Sequence, residues 1–317
     1  MPHSKKILVT GGAGNIGSAL VKRLIANQEN LVVVVDNLSM GNIEKLPQAD
    51  NLRFVKADCN DFSQLSQVMY ANNFDYVFHL AAVVGVQRTQ ANPILVLNDI
   101  DGIKNVLTLS KNGNVKHVYF SSSSEVYGEP VEIPQNEYST PLNSRVPYAV
   151  VKNVGECFFR SYWQEYQLPY TIFRFFNTYG PNQSTDFVIP RFLAAALKNE
   201  NITIYGDGSQ TRTFTYVDDT IDTMLNIFNK GLLKNDVVNI GSDKLMTILD
   251  LAKSIISITG SKSQIEFLPP LKEGDMTRRQ PDNSKMREIL GRDLVTLEVG
   301  IENLMKDDLF LQLTGVK

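Results

Sequence analysis

The chain has 317 residues, 43% hydrophobic and 21% charged, the balance of a soluble globular protein with length for about two domains. Its formal net charge of -3 offers no footprint for nucleic acid. No run of about 18 apolar residues is present to cross a membrane.

The two cysteines, Cys59 and Cys157, argue against a disulfide framework and suit a reducing cytoplasm. His3, His79 and His117 are scattered, so no metal site is expected. The start, Met1 to Lys6, runs straight into an apolar stretch and leaves no room for a signal peptide.

In chain order, strand-like apolar stretches fall at Ile7–Thr10, Leu31–Asp36, Leu52–Lys56, Tyr76–Leu80, Val118–Ser121 and Tyr170–Phe175. Helical patterns lie between most of them, near Ile16–Ala26, Phe62–Tyr70, Ile94–Ser110 and Tyr148–Tyr166. Strands alternating with helices predict an α/β fold of the Rossmann type, a doubly wound parallel sheet with helices on both faces. Leu31 to Val35 reads as a buried parallel strand because it is continuously apolar.

After Phe176 the texture changes. Asn177–Asp186 is rich in Gly, Pro, Asn and Ser and reads as a loop, followed by a helix near Ile189–Lys198. Val237–Ile240 reads as one more strand returning to the first sheet. The smaller α/β domain is therefore expected to be discontinuous. Residues 1–176 with about 214–258 would form the dinucleotide domain, and about 177–213 with 259–317 the other.

Gly11 to Gly17 follows the first strand and opens the first helix. Gly12-x-Gly14-x-x-Gly17 in that setting is a dinucleotide fingerprint. Gly12 permits the tight turn, Gly14 lets backbone approach a pyrophosphate, and Gly17 lets helix and strand pack closely. The pyrophosphate would meet the free amides and positive dipole end near Asn15 and Ile16. Asp36 ends the second strand, where a carboxylate suits the two ribose hydroxyls of NAD and repels the phosphate of NADP. Asn37 follows it. Asp58, after the third strand, reads either as an adenine ligand or as a helix N-cap.

Tyr148 and Lys152 are four apart in a helical pattern and share a face. The lysine charge is expected to favour the phenolate and lower the tyrosine's pKa. Such a tyrosine can take a proton from a sugar hydroxyl while the carbon gives hydride to NAD. A serine at the end of the fifth strand would hold the same oxygen.

With these residues, the chain resembles the extended short-chain dehydrogenase/reductases, specifically the nucleotide-sugar epimerases and dehydratases. The resemblance runs over nearly the whole chain. It covers Thr10–Ser18, His79–Ala82, Ser121–Pro130, Tyr148 to Lys152, Phe173–Gln183 and Tyr205–Asp219. It implies Ser123 as the catalytic serine, Tyr148 as the base and Lys152 as its partner, also holding the nicotinamide ribose. Leu80, Ala81 and Ala82 would line the cofactor. Asn177 would meet the sugar diphosphate, Tyr205 would cover the nucleotide base, and Arg212 would bind the diphosphate. Lys272, Arg278 and Arg279 are candidates for a second basic group. His79 is expected to pack at a strand end. Asp218 and Asp219 are expected to cap the helix that follows them. The family further implies a homodimer paired through the helices at Ile94–Ser110 and Tyr148–Tyr166.

All such enzymes make a 4-keto sugar, and the next step separates them. Glu125 stands where 4,6-dehydratases and uronate decarboxylases carry a glutamate. Ser124 replaces the aspartate many dehydratases use as an acid. Val83 to Arg88 and Pro181–Phe187 look more like epimerases. The resulting order is a 4-epimerase of a nucleotide sugar, a UDP-hexose first, then 4,6-dehydratase with Glu125 as C5 base, then decarboxylase. A non-catalytic NAD-binding sensor is the reading of a different class, and the presence of Ser123, Tyr148 and Lys152 argues against it.

Overall fold

The computed structural model describes residues 5–270 and 278–316. In chain order the first half comprises β1 (Lys5–Thr10), α1 (Asn15–Leu24), β2 (Asn30–Asp36), β3 (Leu52–Lys56), α2 (Phe62–Asn72), β4 (Tyr76–His79), α3 (Val86–Ala91), α4 (Pro93–Leu97), α5 (Asp99–Asn112), β5 (His117–Ser123), α6 (Pro147–Tyr166) and β6 (Tyr170–Phe175). The second half comprises β7 (Thr178–Tyr179), α7 (Val188–Leu197), β8 (Ile202–Tyr205), β9 (Thr211–Thr213), β10 (Thr215–Tyr216), α8 (Val217–Lys230), β11 (Asp236–Ile240), β12 (Leu245–Thr247), α9 (Ile248–Thr259), β13 (Ile265–Leu268), α10 (Ser284–Leu290), α11 (Leu297–Lys306) and α12 (Asp308–Leu313).

Seven strands form one sheet in the order β11-β6-β5-β4-β1-β2-β3, every pair parallel. Successive side chains of a strand point to opposite faces, so one strand feeds two cores. Ile7 and Val9 join the cluster that reaches α1, α7, α8 and α9. Leu8 joins the cluster that reaches α2, α5 and α6. Val32 and Val34 part from Val33 and Val35 in the same way. Both faces of β2 are therefore dry, which is why its sequence is continuously apolar.

The strand order reverses between β1 and β4. From β1 the chain winds outward through β2 and β3, then crosses back to β4 and continues to β5, β6 and β11. A doubly wound sheet opens a crevice at this point, at the carboxyl ends of its strands. The glycine loop after β1 and the Leu80–Ala82 segment after β4 flank it. Val237–Ile240 does return to the first sheet, inside β11 beside β6.

Three local expectations need correction. The single helix near Ile94–Ser110 is two, α4 and α5, because the chain tightens at Asn98, where the Asp101 amide reaches back to the Asn98 carbonyl at 3.0 Å. The loop at Asn177–Asp186 contains β7, which pairs in parallel with β10. Asp219 does not cap α8. It is fully buried, accepts from Arg292 and receives the Val295 amide at 2.9 Å, tying the helix to a distant segment.

Candidate active site

The glycine loop is built by close approach. Gly11 has φ +70°, and a Cβ there would stand 2.6 Å from the Ala81 nitrogen. Gly11, not Gly12, is the residue the turn forces to be glycine. Gly12 has another reason: its Cβ would stand 2.7 Å from Val34 Cγ1. At Gly17 a Cβ would meet the Gly11 carbonyl oxygen at 2.2 Å, so the first turn of α1 rests on the loop. Gly14 differs: the nearest atom to its Cβ is that same oxygen at 3.2 Å, leaving its outer side open. Gly14 caps α1 without a side-chain hydrogen bond, and the first turn carries no acid. The opening amides at Asn15, Ile16 and Gly17 and the helix dipole are thus left to an anion.

Asp36 is buried. One oxygen accepts the Ala13 amide at 3.0 Å and the other the Leu38 amide at 2.9 Å, which aims the carboxylate at the glycine loop. Each oxygen keeps a lone pair for a ribose hydroxyl. Asn37 donates to Asp58 at 3.0 Å, and Asp58 also accepts the Asn60 amide at 2.9 Å, so both side chains hold the ends of β2 and β3 together. The Leu80 amide bonds the Thr10 carbonyl at 3.1 Å, bringing Leu80, Ala81 and Ala82 against the glycine loop. His79 is buried, shares a hydrogen bond of 2.8 Å with Thr10, and is pushed down to about 3 by burial, then by the Lys152 charge. The glycine cradle, the uncapped helix start and Asp36 together fit NAD.

Tyr148 lies in the first turn of α6, and Lys152 follows one turn later. Ser123 ends β5, accepts the Glu125 amide at 3.2 Å, and stands close enough to Tyr148 to favour its phenolate. Lys152 is buried, donates to Ser121 at 3.4 Å, and holds its ammonium 5.7 Å from the Tyr148 ring centre.

The expected lowering of the Tyr148 pKa does not occur. Burial raises the phenol, and the Glu125 carboxylate pushes the same way. The lysine is itself penalised: burial brings it down to about 8, against the pull of Asp99. The physical reason is that two buried groups each resist charge. Tyr148 therefore rests as a phenol, and a further positive charge beside it is needed to release its proton.

Glu125 sits in the tight turn Ser124–Tyr127 and meets Arg279, Oε1 to Nη1, at 3.4 Å. Arg279 is buried, and its Nε has no partner among the described residues. Arg278 instead lines a cavity of about 1090 Å³ with Asn177, Tyr205 and Arg212. Tyr148 is not part of that lining, so the consecutive arginines bridge two places: one faces the cavity and its neighbour faces Glu125 and Tyr148. Arg212 is buried and donates to the Thr211 carbonyl at 2.7 Å, and Asn177 donates to the Thr213 carbonyl at 3.1 Å. Lys272 lies outside the described residues.

Two groups at the site went unread in the sequence. Arg191 on α7 lines the cavity, with its guanidinium 5.6 Å from the Tyr205 ring centre. Its signal was available: it is the one charge in the apolar helix VIPRFLAAAL. Asp99 is buried at the start of α5 and gave no signal, because an acid at a helix start is usually a solvated one.

The fold is that of a dinucleotide-binding protein, and it brings Ser123, Tyr148 and Lys152 together at the carboxyl ends of the sheet. Residues 7–241 match the NAD dependent epimerase/dehydratase family. UDP-N-acetyl-alpha-D-glucosaminuronate decarboxylase of Bacillus cytotoxicus is 34% identical over 299 residues, covering 90% of this chain and 91% of that protein. A putative UDP-glucose 4-epimerase of Methanocaldococcus jannaschii is 35% identical over 306 residues, covering 94% and 97%. The structure of Thermotoga maritima UDP-glucose 4-epimerase with UDP-glucose superposes with a TM-score of 0.88, at 34% identity, covering 95% of this chain and 97% of that one. The chain belongs to the NAD dependent epimerase/dehydratase family; it is an enzyme, and NAD is its cofactor. Among the described residues no helix is long and apolar enough to cross a membrane.

Proposed function

We propose that the chain acts on a nucleotide-linked uronic acid, a UDP-sugar first, and decarboxylates it through a 4-keto intermediate. The observation that carries this is the Arg279–Glu125 pair beside Tyr148. Exchange of hydride at C4 alone needs only Ser123, Tyr148 and Lys152. A buried guanidinium with a spare donor at this place suits a carboxylate on the neighbouring carbon.

The chemistry follows from that placement. Ser123 holds the C4 oxygen, Tyr148 takes its proton, and Lys152 stabilises the resulting charge. NAD, when bound, supplies the acceptor and later the donor of the C4 hydride. The C6 carboxylate is then β to a ketone. The C5–C6 bond breaks, carbon dioxide leaves, and the electron pair passes into the C4 carbonyl as an enolate. C5 takes a proton from water, and C4 regains hydride while Tyr148 returns the proton to oxygen. Arg279 orients the carboxylate, and the charge of Glu125 beside it favours its loss. Asp36 would hold the adenosine ribose. Asn177, Arg212 and Arg278 would hold the diphosphate, and Tyr205 the base.

This reverses the order reached from sequence, where 4-epimerisation stood first. Epimerisation remains the second reading, supported by the sufficiency of Ser123, Tyr148 and Lys152 for it. Dehydration is disfavoured by Ser124, a buried hydroxyl where an acid would be needed. The test is product mass spectrometry in heavy water, with NAD and a panel of UDP-glucuronate, UDP-N-acetylglucosaminuronate, UDP-glucose and UDP-N-acetylglucosamine. Loss of carbon dioxide from a uronate, with one deuterium at C5, is expected. An unchanged mass with a new C4 epimer would overturn decarboxylation in favour of the second reading.

A homodimer paired through α5 and α6 belongs to the same proposal. Exposed Ile94 and Leu95 on the adjoining α4 support it. A monomer by sedimentation would overturn it.

A further inference from the structure

The cavity of about 1090 Å³ holds several arginines, and they are not alike. Arg88 meets Asp186 at 3.7 Å, and Arg212 donates to the Thr211 carbonyl at 2.7 Å. Arg191 is held by rings instead. Its guanidinium stands 5.6 Å from the Tyr205 ring centre and 5.5 Å from that of Phe192. Its Nε is buried with no hydrogen-bond partner among the described residues. Burial disfavours its charge. A guanidinium offers five donors in a fixed fork and no acceptor, and here at least the Nε donor is unspent.

The surroundings of Arg191 come from two elements. Val188 and Arg191 are three apart on α7, so they share a helix face, and both line the cavity. β8 packs against α7, and its last residues, Ile204 and Tyr205, line the cavity too. This part of the cavity therefore has apolar and aromatic walls with one cation among them. A phosphate would lose its water there with a single donor group to replace it. A flat, uncharged ring fits such walls, provided that it turns an acceptor toward the guanidinium.

We propose that Arg191 is a specificity-determining residue of the nucleotide site: its donors meet the C4 carbonyl of a pyrimidine stacked at Tyr205, and so select uracil over cytosine. The inference rests on the reading of this cavity as a nucleotide-sugar site with Tyr205 on the base. The C2 carbonyl of a pyrimidine adjoins the nitrogen that carries the ribose, whereas C4 stands at the free edge. Uracil has an acceptor oxygen at C4. Cytosine has an amino group there, which sets donors against donors. Thymine carries the same carbonyl as uracil, so Arg191 does not separate those two.

The test uses the NAD-loaded protein and no sugar, so it is independent of the reaction at C4 and C6 of the hexose. Titration calorimetry gives dissociation constants of UDP and CDP for the wild type, Arg191→Met and Arg191→Gln. The wild type is expected to bind UDP about 10- to 100-fold more tightly than CDP, the range of a hydrogen bond to a charged group. In Arg191→Met, UDP should weaken to the level of CDP, with CDP unchanged or tighter. Glutamine offers both an oxygen and an amide, so Arg191→Gln should hold the two alike. This second variant serves if Arg191→Met does not fold. Equal weakening of UDP and CDP in Arg191→Met would make Arg191 a phosphate contact and overturn base selection. A preference for UDP that survives both substitutions would overturn it too, while the nucleotide site stands. Binding of neither diphosphate to the wild type would overturn the nucleotide site itself, and base selection with it.

Discussion

Helix α6 carries two buried charges four residues apart, Lys152 and Glu156, in opposite circumstances. Glu156 receives two hydrogen bonds from Arg174, at 2.8 and 2.7 Å, one from Ser122 at 2.6 Å and one from Arg160 at 2.9 Å. Arg174 passes on to the Tyr127 hydroxyl at 2.8 Å, and Tyr127 donates to Asn239 at 2.7 Å. Lys152 has one serine at 3.4 Å and two aromatic faces. The Glu156 carboxyl is held below its ordinary range by Arg174 despite burial, whereas burial wins at Lys152. The saturated network braces the turn that carries Ser123 and Glu125. The unsaturated one faces the site and keeps its capacity for ligands. The cost of burial falls on Lys152, and the neighbouring network holds its surroundings in place.

The largest effect is expected from breaking the saturated side. Arg174→Met leaves Glu156 buried with too few donors and should cost about 3–5 kcal/mol of stability, read from denaturant midpoints. Replacing Arg174 and Glu156 together by apolar residues should cost less than the single change, because no charge is then stranded. If the single and double variants are equally stable, the network is not the brace described here.

On the unsaturated side, Tyr148→Phe should leave the unfolding midpoint near that of the wild type. Turnover should fall on the order of 10³-fold, the range of a lost general base. Steady-state rates beside a denaturation curve separate the two effects.

Lys152→Met sharpens the contrast by reversing sign. The folded-state value of about 8 lies below the ordinary 10.5, so holding the charge costs stability. That cost grows as pH falls from 10.5 to about 8 and is constant below. At neutral pH the methionine variant should be more stable by about 1–3 kcal/mol, and the gain should vanish in strongly alkaline solution. Activity should be lost throughout. A variant less stable at neutral pH would mean that burial does not penalise the Lys152 charge on balance.

β2 was legible because a strand buried on both faces is written as an unbroken apolar run, Leu31 to Val35. Leu52–Lys56 and Tyr170–Phe175 coincide with β3 and β6 although Arg53, Lys56 and Arg174 interrupt their apolar residues. Ser123, Tyr148 and Lys152 were legible because fixed spacing on a strand end and a helix carries them into one place. The ionisation of Tyr148 was not. Burial dominates it, and Glu125 and Arg279, which are 154 residues apart and meet only in the fold, also act on it. Arg278 and Arg279 are adjacent in sequence, yet one lines the cavity and the other turns to Glu125. Which way each points is set by the packing around it, and spacing holds no trace of that. Asp99 and Asp101 make the same point on one helix, the first buried and the second exposed.

The smallest effect on stability is expected in the glycine loop, where two positions of one motif answer to different needs. Gly17→Ala puts a methyl 2.2 Å from a carbonyl oxygen, so the backbone must move. Gly14→Ala meets that oxygen at 3.2 Å with φ -80°, an ordinary conformation for alanine. Its unfolding temperature without cofactor should therefore stay close to wild type, with a change below about 1 kcal/mol. The methyl does fill the open side above the helix start, where the pyrophosphate would rest. A ligand stabilises the folded state in proportion to the logarithm of its occupancy. The rise in unfolding temperature on adding NAD should then be large in the wild type and small or absent in Gly14→Ala. If Gly14→Ala keeps the full NAD-dependent rise, the open side of Gly14 is not the place of the pyrophosphate. The cradle would then bind through Gly11 and Asp36 alone.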